Sequence, residues 1–505
     1  MKRDTVVLFL PASEKYPKAN SPPYPLLYLE RMLRDDPVDV RLVDEAVEPQ
    51  YEGILESVSD RLLLAGVSAM TGHQIEGGIR FSRAVKSMCN APVVWGGWHP
   101  SMLPEETLVE PFVDFVVSGP GEIPFRDLVR KLARDEDVTG IPSLAFQDGH
   151  GVCQVNPESP LIDLTRLAPV DYSLIDVNDY VHVWEGQRTL RYPASHGCPF
   201  HCGFCAVARM FKRHWYPKRI DDIMKDLTYF KRVANIESVM LEDDNFFVKR
   251  SFVVEFCERL IESGLDLTWI SCAHAGQFLS SYCDDDIALM KRAGCKEIYI
   301  GAESGDQGIL DLISKGTTVE DNLEFVTRLK AHGIKPVMST MVGFPTDDPE
   351  RDIDATLKML MSAKLSDTNM DALVFFYTPY PGTRLHEMAV ERGFRPPERL
   401  EDWATFTFRR YRAPWLEKDH GWTLETFVNF YFPLVNRDLW KRYSGYRRWA
   451  AFVLTRLFSP IATLRFRRGF LRFPVEARLF LLSLRLLNRI SGKDLGLSYG
   501  SFVDH

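Results

Sequence analysis

Cys198-Pro199-Phe200-His201-Cys202-Gly203-Phe204-Cys205 sets three cysteines at C-x3-C-x2-C spacing. Iron–sulfur clusters ordinarily take four cysteine thiolates, so three in a tight loop hold a cluster while leaving one iron without a protein ligand. An iron with an open position binds a substrate or cofactor directly, which makes the cluster a reactive centre and not merely an electron relay. Zinc is a competing reading, because His196 and His201 flank the cysteines and a structural zinc ion takes four Cys or His ligands. Thiols that are simply buried are the other, although free cysteines rarely gather so closely in a packed core.

The rest of the composition sets outer limits. A chain of 505 residues is too long for one ordinary core and implies two or three domains. Hydrophobic residues at 45% and charged residues at 26% belong to a folded globular protein. The other six cysteines, Cys89, Cys153, Cys257, Cys272, Cys283 and Cys295, are scattered and form no disulfide framework, which suits a reducing compartment. The first residues run from a short apolar stretch into a proline-containing loop without a small-residue cleavage site, so they are expected to form a strand and not a signal peptide. No apolar run reaches the length of a membrane span, and a cytoplasmic location is expected.

Upstream of the cysteines, residues 1–150 carry five short apolar runs, VVLFL at 6–10, VDVRLV at 38–43, LLLAGVS at 62–68, PVVW at 92–95 and VDFVV at 113–117, separated by helical stretches. That alternation predicts an α/β domain with a doubly wound parallel sheet. Ligands of such sheets bind beyond the C-terminal strand ends. Those ends read Ser68-Ala69-Met70, Gly96-Gly97-Trp98-His99-Pro100 and Gly119-Pro120-Gly121-Glu122, where glycine lets backbone approach a ligand closely. Residues 151–188 are rich in helix-breaking prolines and read as a linker. Six further strand runs follow within 189–395: TLRY at 189–192, SVML at 238–241, LTWI at 267–270, EIYI at 297–300, PVMS at 336–339 and ALVFF at 372–376, each followed by an amphipathic helical stretch.

The cysteine spacing, with Phe204 before the last thiol, resembles the radical S-adenosylmethionine enzymes. The glycine-rich strand ends upstream resemble the cobalamin-binding domain fused to some of them, as in the cobalamin-dependent radical methyltransferases and the anaerobic magnesium-protoporphyrin IX monomethyl ester cyclase family. The resemblance implies a partial (β/α)6 barrel, short of the eight units of a closed barrel. It implies three cofactors: a 4Fe-4S cluster on Cys198, Cys202 and Cys205, S-adenosylmethionine on the open iron, and cobalamin. Glu242 and Asp243 would then meet the methionyl amino group, Glu303 and Ser304 the ribose or amino group, and Gly343 and Pro345 the adenine. Ser68, Gly96, Gly97, His99, Gly119 and Glu122 would line the cobalamin site, with His99 alternatively pinning its own loop. The family's usual cobalt-ligating histidine after the first strand is absent from Pro11-Ala12-Ser13-Glu14-Lys15-Tyr16-Pro17, and His73 is in the wrong surroundings to replace it. The implied chemistry is reductive cleavage to a 5'-deoxyadenosyl radical, hydrogen abstraction, and delivery of a methyl group from methylcobalamin to a small-molecule or lipid-like substrate, with an external electron donor such as a flavodoxin or ferredoxin. Cyclisation or rearrangement uses the same parts, and a non-catalytic metal or cobalamin sensor is the third reading.

Residues 396–505 lie beyond the family motifs and are expected to be mainly helical, basic and aromatic. From 437 to 493 there are fourteen Lys or Arg against two acids, a surplus of twelve, while the whole chain carries −8 and the remainder therefore −20. Such asymmetry points to an anionic partner. The arginines of residues 474–490 share one face of an expected amphipathic helix, which suits either an anionic membrane interface, making the protein peripheral on the membrane, or packing on the barrel with arginines in water. No nucleic-acid partner is expected, because no reader fold is recognisable.

Overall fold

Val6, Val7, Leu8 and Phe9 are all fully buried, as a strand covered by helices on both faces requires. In the computed structural model, which describes residues 4–13, 19–407, 412–416, 420–443, 445–471, 473–480 and 482, they belong to β1 (Thr5–Leu10). With β2 (Asp39–Asp44), β3 (Leu62–Ser68), β4 (Val93–Gly96) and β5 (Phe115–Val117) it forms a parallel sheet, extended by an antiparallel hairpin of β6 (Leu144–Gln147) and β7 (Cys153–Val155) in the order β2-β1-β3-β4-β5-β6-β7. The first five strands fall where the apolar runs predict them. The hairpin does not, and it carries the first sheet past position 150 into the stretch expected to be a linker. Leu8, Leu26, Leu33, Leu64, Val94, Phe125 and Leu128 pack one face of the sheet. On the other, Phe9 stacks on Phe81 at 4.1 Å and Trp95 donates its indole N–H to Ser82 Oγ at 2.9 Å.

The chain divides into two compact units, Met1–Asp244 with Pro379–Val390 and Arg395–Thr407, and Asn245–Thr378 with Glu391–Phe394 and Phe408–His505. The strands of the half-barrel are shared between them. The first unit holds β8 (His182–Trp184), antiparallel to β9 (Gln187–Tyr192), a small hairpin of β10 (Ser195–Gly197) and β11 (Trp215–Pro217), and β12 (Ser238–Leu241) parallel to β9. The second holds four parallel strands, β13 (Thr268–Ala273), β14 (Cys295–Glu303), β15 (Lys335–Val342) and β16 (Asp371–Phe376). All six expected barrel strands are present, and β8 adds a seventh that the sequence pattern missed.

Among the described residues, the C-terminal part of the second unit is mainly helical and includes the long helix Gly445–Arg468 and a turn of helix at 475–480. Most of the amphipathic helix expected at 474–490 lies outside the described residues. Among the described residues, no helix is long and apolar enough to cross a membrane.

Candidate functional site: a cysteine loop and two cavities

The cysteine loop is anchored from both sides. Asp243, just past β12, accepts from the Ala194 backbone N–H at 3.1 Å and from the Ser195 hydroxyl, which itself accepts from the Trp215 indole at 2.9 Å. Asp244 accepts from the Gly197 backbone N–H at 2.9 Å. Gly197 has φ +80°, and a Cβ there would sit 2.2 Å from the His214 carbonyl oxygen, so only glycine fits the residue before Cys198. Within the loop, Cys205 N–H donates to the Cys202 carbonyl at 3.0 Å. Burial pushes the Cys205 thiol up to about 12, with the nearby Cys202, Asp244 and Cys198 adding to the rise. A cluster offsets that cost, because a metal-bound thiol is deprotonated outright.

The donor set therefore fits a cluster. It does not fit zinc, for His201 is exposed and His196 is engaged by the Tyr28 hydroxyl at 3.0 Å. Among the described residues no three His, Cys, Asp or Glu side chains are gathered closely enough to hold one metal ion, as a zinc site would need. Thiolates that each bind a different iron do not have to converge on one point.

A cavity of about 500 Å³ opens at the C-terminal ends of β1, β3, β4 and β5, at the switch point of the strand order. Ser68, Gly96, Gly97, Gly119 and Glu122 all line it, as do Ser195 and His196 of β10. A Cβ on Gly119, at φ +78°, would meet nothing within 4 Å, and one on Gly96 would approach only the Val117 carbonyl, so the backbone itself forms this wall. Gly97, at φ +96°, is held where a Cβ would lie 2.8 Å from the Ala69 carbonyl oxygen. This glycine cradle fits a large ligand lying against main chain, as cobalamin would. Glu122 is tied to Arg31 at 3.4 Å, and Arg31 stacks over Tyr28.

His99 departs from expectation. It is 1% exposed and absent from the cavity lining, with Nδ1 on the Thr71 hydroxyl at 3.0 Å and its ring against Trp403. Burial lowers it to about 4, so it is a neutral loop pin. Its neighbour Trp98 lines the cavity instead. Trp98 and Met70 also line a second cavity of about 230 Å³, shared with Phe204, Ala206 and Val207 of the cysteine loop and with Tyr380. His73 opens the helix His73–Met88 and lines neither cavity.

Glu242 does line the larger cavity, but its carboxylate is engaged by Arg191 at 2.7 Å and Ser21 at 2.9 Å, while Asp243 is turned inward onto β10. In the second unit, Glu303 ends β14 at φ +57°, a conformation costly for a residue with a side chain, and its carboxylate meets Lys315 at 2.8 Å. Ser304 is fully buried and donates to Asp352, whose other oxygen accepts the Gly343 N–H at 2.9 Å. Ser304 and Gly343 are thus bound to one carboxylate, which fixes their loops. Pro345 is buried, and Gly343 at φ +75° receives the Trp415 indole N–H on its carbonyl at 3.0 Å. Lys315, Asp352, Trp98 and Asp244 are site residues that the sequence did not single out; Trp98 stands between the glycine pair and His99, and Asp244 directly follows Asp243.

Comparison with known proteins agrees with this arrangement. The radical SAM superfamily model matches residues 192–360, and the B12 binding domain model matches residues 17–129. An uncharacterized methyltransferase of Pyrococcus horikoshii is 29% identical over 77% of this chain and 84% of its own length. The anaerobic magnesium-protoporphyrin IX monomethyl ester cyclase of Synechocystis is 27% identical over 75% of each chain. Among solved structures, the cobalamin-dependent S-adenosylmethionine radical enzyme OxsB superposes with a TM-score of 0.71 at 17% identity, covering 97% of this chain and 76% of its own. The radical S-adenosylmethionine methyltransferase TsrM from Kitasatospora setae gives 0.63 at 18% identity, covering 79% and 80%. Both likenesses are of fold. With a cysteine loop, a half-barrel and a glycine-lined sheet in one chain, residues 192–360 carry a radical SAM domain and residues 17–129 a B12-binding domain ahead of it.

Proposed function

We propose that the chain is a cobalamin-dependent methyltransferase that methylates an unactivated carbon of a small-molecule or lipid-like substrate. One observation carries the reading: Ser195 and His196, on the strand that leads into Cys198, line the same cavity as Ser68, Gly96, Gly97 and Glu122. A cobalamin in that cavity and a cluster on Cys198, Cys202 and Cys205 would share a wall. When bound, the cofactors supply the hard chemistry, a 5'-deoxyadenosyl radical from S-adenosylmethionine and a transferable methyl group. The side chains hold and shield. Phe204, Trp98 and Met70 give the smaller cavity an apolar lining beside the cysteine loop. Glu303, oriented by Lys315, offers an acceptor for the amino or hydroxyl groups of S-adenosylmethionine, and the loops of Ser304, Gly343 and Pro345 are rigid enough to seat its adenine. A flavodoxin or ferredoxin would supply the electron. Peripheral contact with a membrane, through the basic C-terminal region, belongs to the same reading.

Anaerobic reconstitution is expected to give about four irons per chain, lost in Cys202→Ala. With S-adenosylmethionine, a low-potential reductant and candidate substrates, each product should be heavier by one methylene unit. One 5'-deoxyadenosine and one S-adenosylhomocysteine should form per methyl added. The relatives named as cyclases favour a second outcome, a product lighter by hydrogens, which would replace methylation with oxidative ring closure. Full iron retention in Cys202→Ala would refute the cluster.

A further inference from the structure

The helix Gly445–Arg468 has two dissimilar faces. Ala451, Thr455, Ser459, Ala462 and Phe466, three or four residues apart, are buried, and the helix packs on Pro349–Ser366 of its own unit. Mostly small side chains on this face allow a close approach. The opposite face is bare: Trp449 is 71% exposed, Leu457 60% and Leu464 50%. Past the helix the exposure continues, with Phe473 at 79% and Leu479 at 62%. Of nineteen large apolar side chains exposed among the described residues, ten fall between Trp449 and Leu482. Soluble surfaces scatter such residues singly, and a concentration of this kind marks an interaction site.

Charge identifies the occupant. Arg456, Arg467 and Arg468 stand exposed on the same side of the helix as Trp449, Leu457 and Leu464, whereas Arg465 is satisfied by Glu476 and Arg442 by Asp371. We propose that this face seats on an anionic lipid bilayer, its Trp, Phe and Leu side chains entering the acyl boundary while the arginines meet headgroup phosphates. A second copy of the chain would oppose arginine to arginine across a twofold axis, which costs energy. A nucleic acid would leave the leucines unburied. The helix is too charged to span, so it lies in the interface. The inference deepens the membrane part of the proposed function and is independent of the radical chemistry.

Flotation of the reconstituted full-length protein with phosphatidylcholine vesicles, with and without phosphatidylglycerol, tests it. Binding is expected on the anionic vesicles, several-fold weaker on neutral ones and at high salt. Leu457→Glu with Leu464→Glu should abolish it while melting temperature and cluster and cobalamin absorption stay unchanged, so either reading can fail without the other. Arg467→Glu with Arg468→Glu should remove the preference for anionic lipid. Absence of flotation, unaltered flotation of the leucine variant, or a dimer in light scattering that the leucine variant dissolves would overturn the proposal.

Discussion

Asp243 and Asp244 show how a single peptide orders a metal loop. Both carboxylates leave the end of β12 and spend their oxygens on β10: Asp243 on Ala194 and Ser195, Asp244 on Gly197. Hydrogen bonds to buried charged groups contribute about 1.5–3 kcal/mol each, and unmaking one leaves a buried N–H unsatisfied. Asp244→Asn keeps the shape but presents a weaker acceptor to the residue before Cys198. The expected result is lower iron and sulfide content after reconstitution and a broadened or shifted electron paramagnetic resonance signal of the reduced cluster. Asp243→Asn should act more weakly on that signal, because it holds the chain two and three residues further back, at Ser195 and Ala194. An unchanged signal in both variants would mean that the two carboxylates only stabilise the fold.

At the scale of elements, the cavity depends on strands that end in glycine. Gly96 closes β4 with a backbone any residue can adopt, and its missing Cβ leaves the wall flat. Gly96→Val would project two methyl groups into the cavity without forcing the backbone. Such a variant should fold, retain its iron, and bind cobalamin at least tenfold more weakly, read from the absorption of cobalamin retained after desalting. That wall was legible in the sequence because parallel strands buried on both faces are continuous apolar runs, so their ends are marked where the run stops. LLLAGVS and SVML coincide with β3 and β12 residue for residue. The short antiparallel strands at the sheet ends give no such mark: β7 and β8 have three residues each, partly exposed, too few to form an apolar run. Side-chain direction was equally silent. Nothing in Glu242-Asp243-Asp244 reveals that Asp243 turns inward, nor that Asp352, 48 residues from Ser304, joins that residue to Gly343. Those pairings exist only once the strands are side by side.

Over the whole molecule, buried ionisable groups with opposite shifts set the response to acid. Burial lowers His99 and His274 to about 4, below the usual histidine value of 6.5, so the fold holds both neutral. Their contribution is complete above pH 6.5 and is lost as pH falls through 6.5 toward 4, because the unfolded chain takes up protons that the folded one refuses. Burial raises Asp352 from 3.8 to about 6, so between those values the fold holds a proton that the unfolded chain has lost. Its contribution is complete below pH 3.8 and is lost as pH rises toward 6. For these three groups the two effects oppose each other between about pH 4 and 6, where their summed contribution varies less than either kind alone dictates. Substitution separates them. His99→Gln removes a slope that rises with pH, leaving stability that gains less, or declines, between pH 4 and 6.5. Asp352→Asn removes the falling slope and steepens the gain. Each histidine shift corresponds to about 3 kcal/mol across its window. Calorimetric melting at intervals from pH 4 to 7 reads the slopes directly, whatever each substitution does to stability at any one pH. Parallel profiles for wild type and His99→Gln would show that His99 titrates normally in the fold.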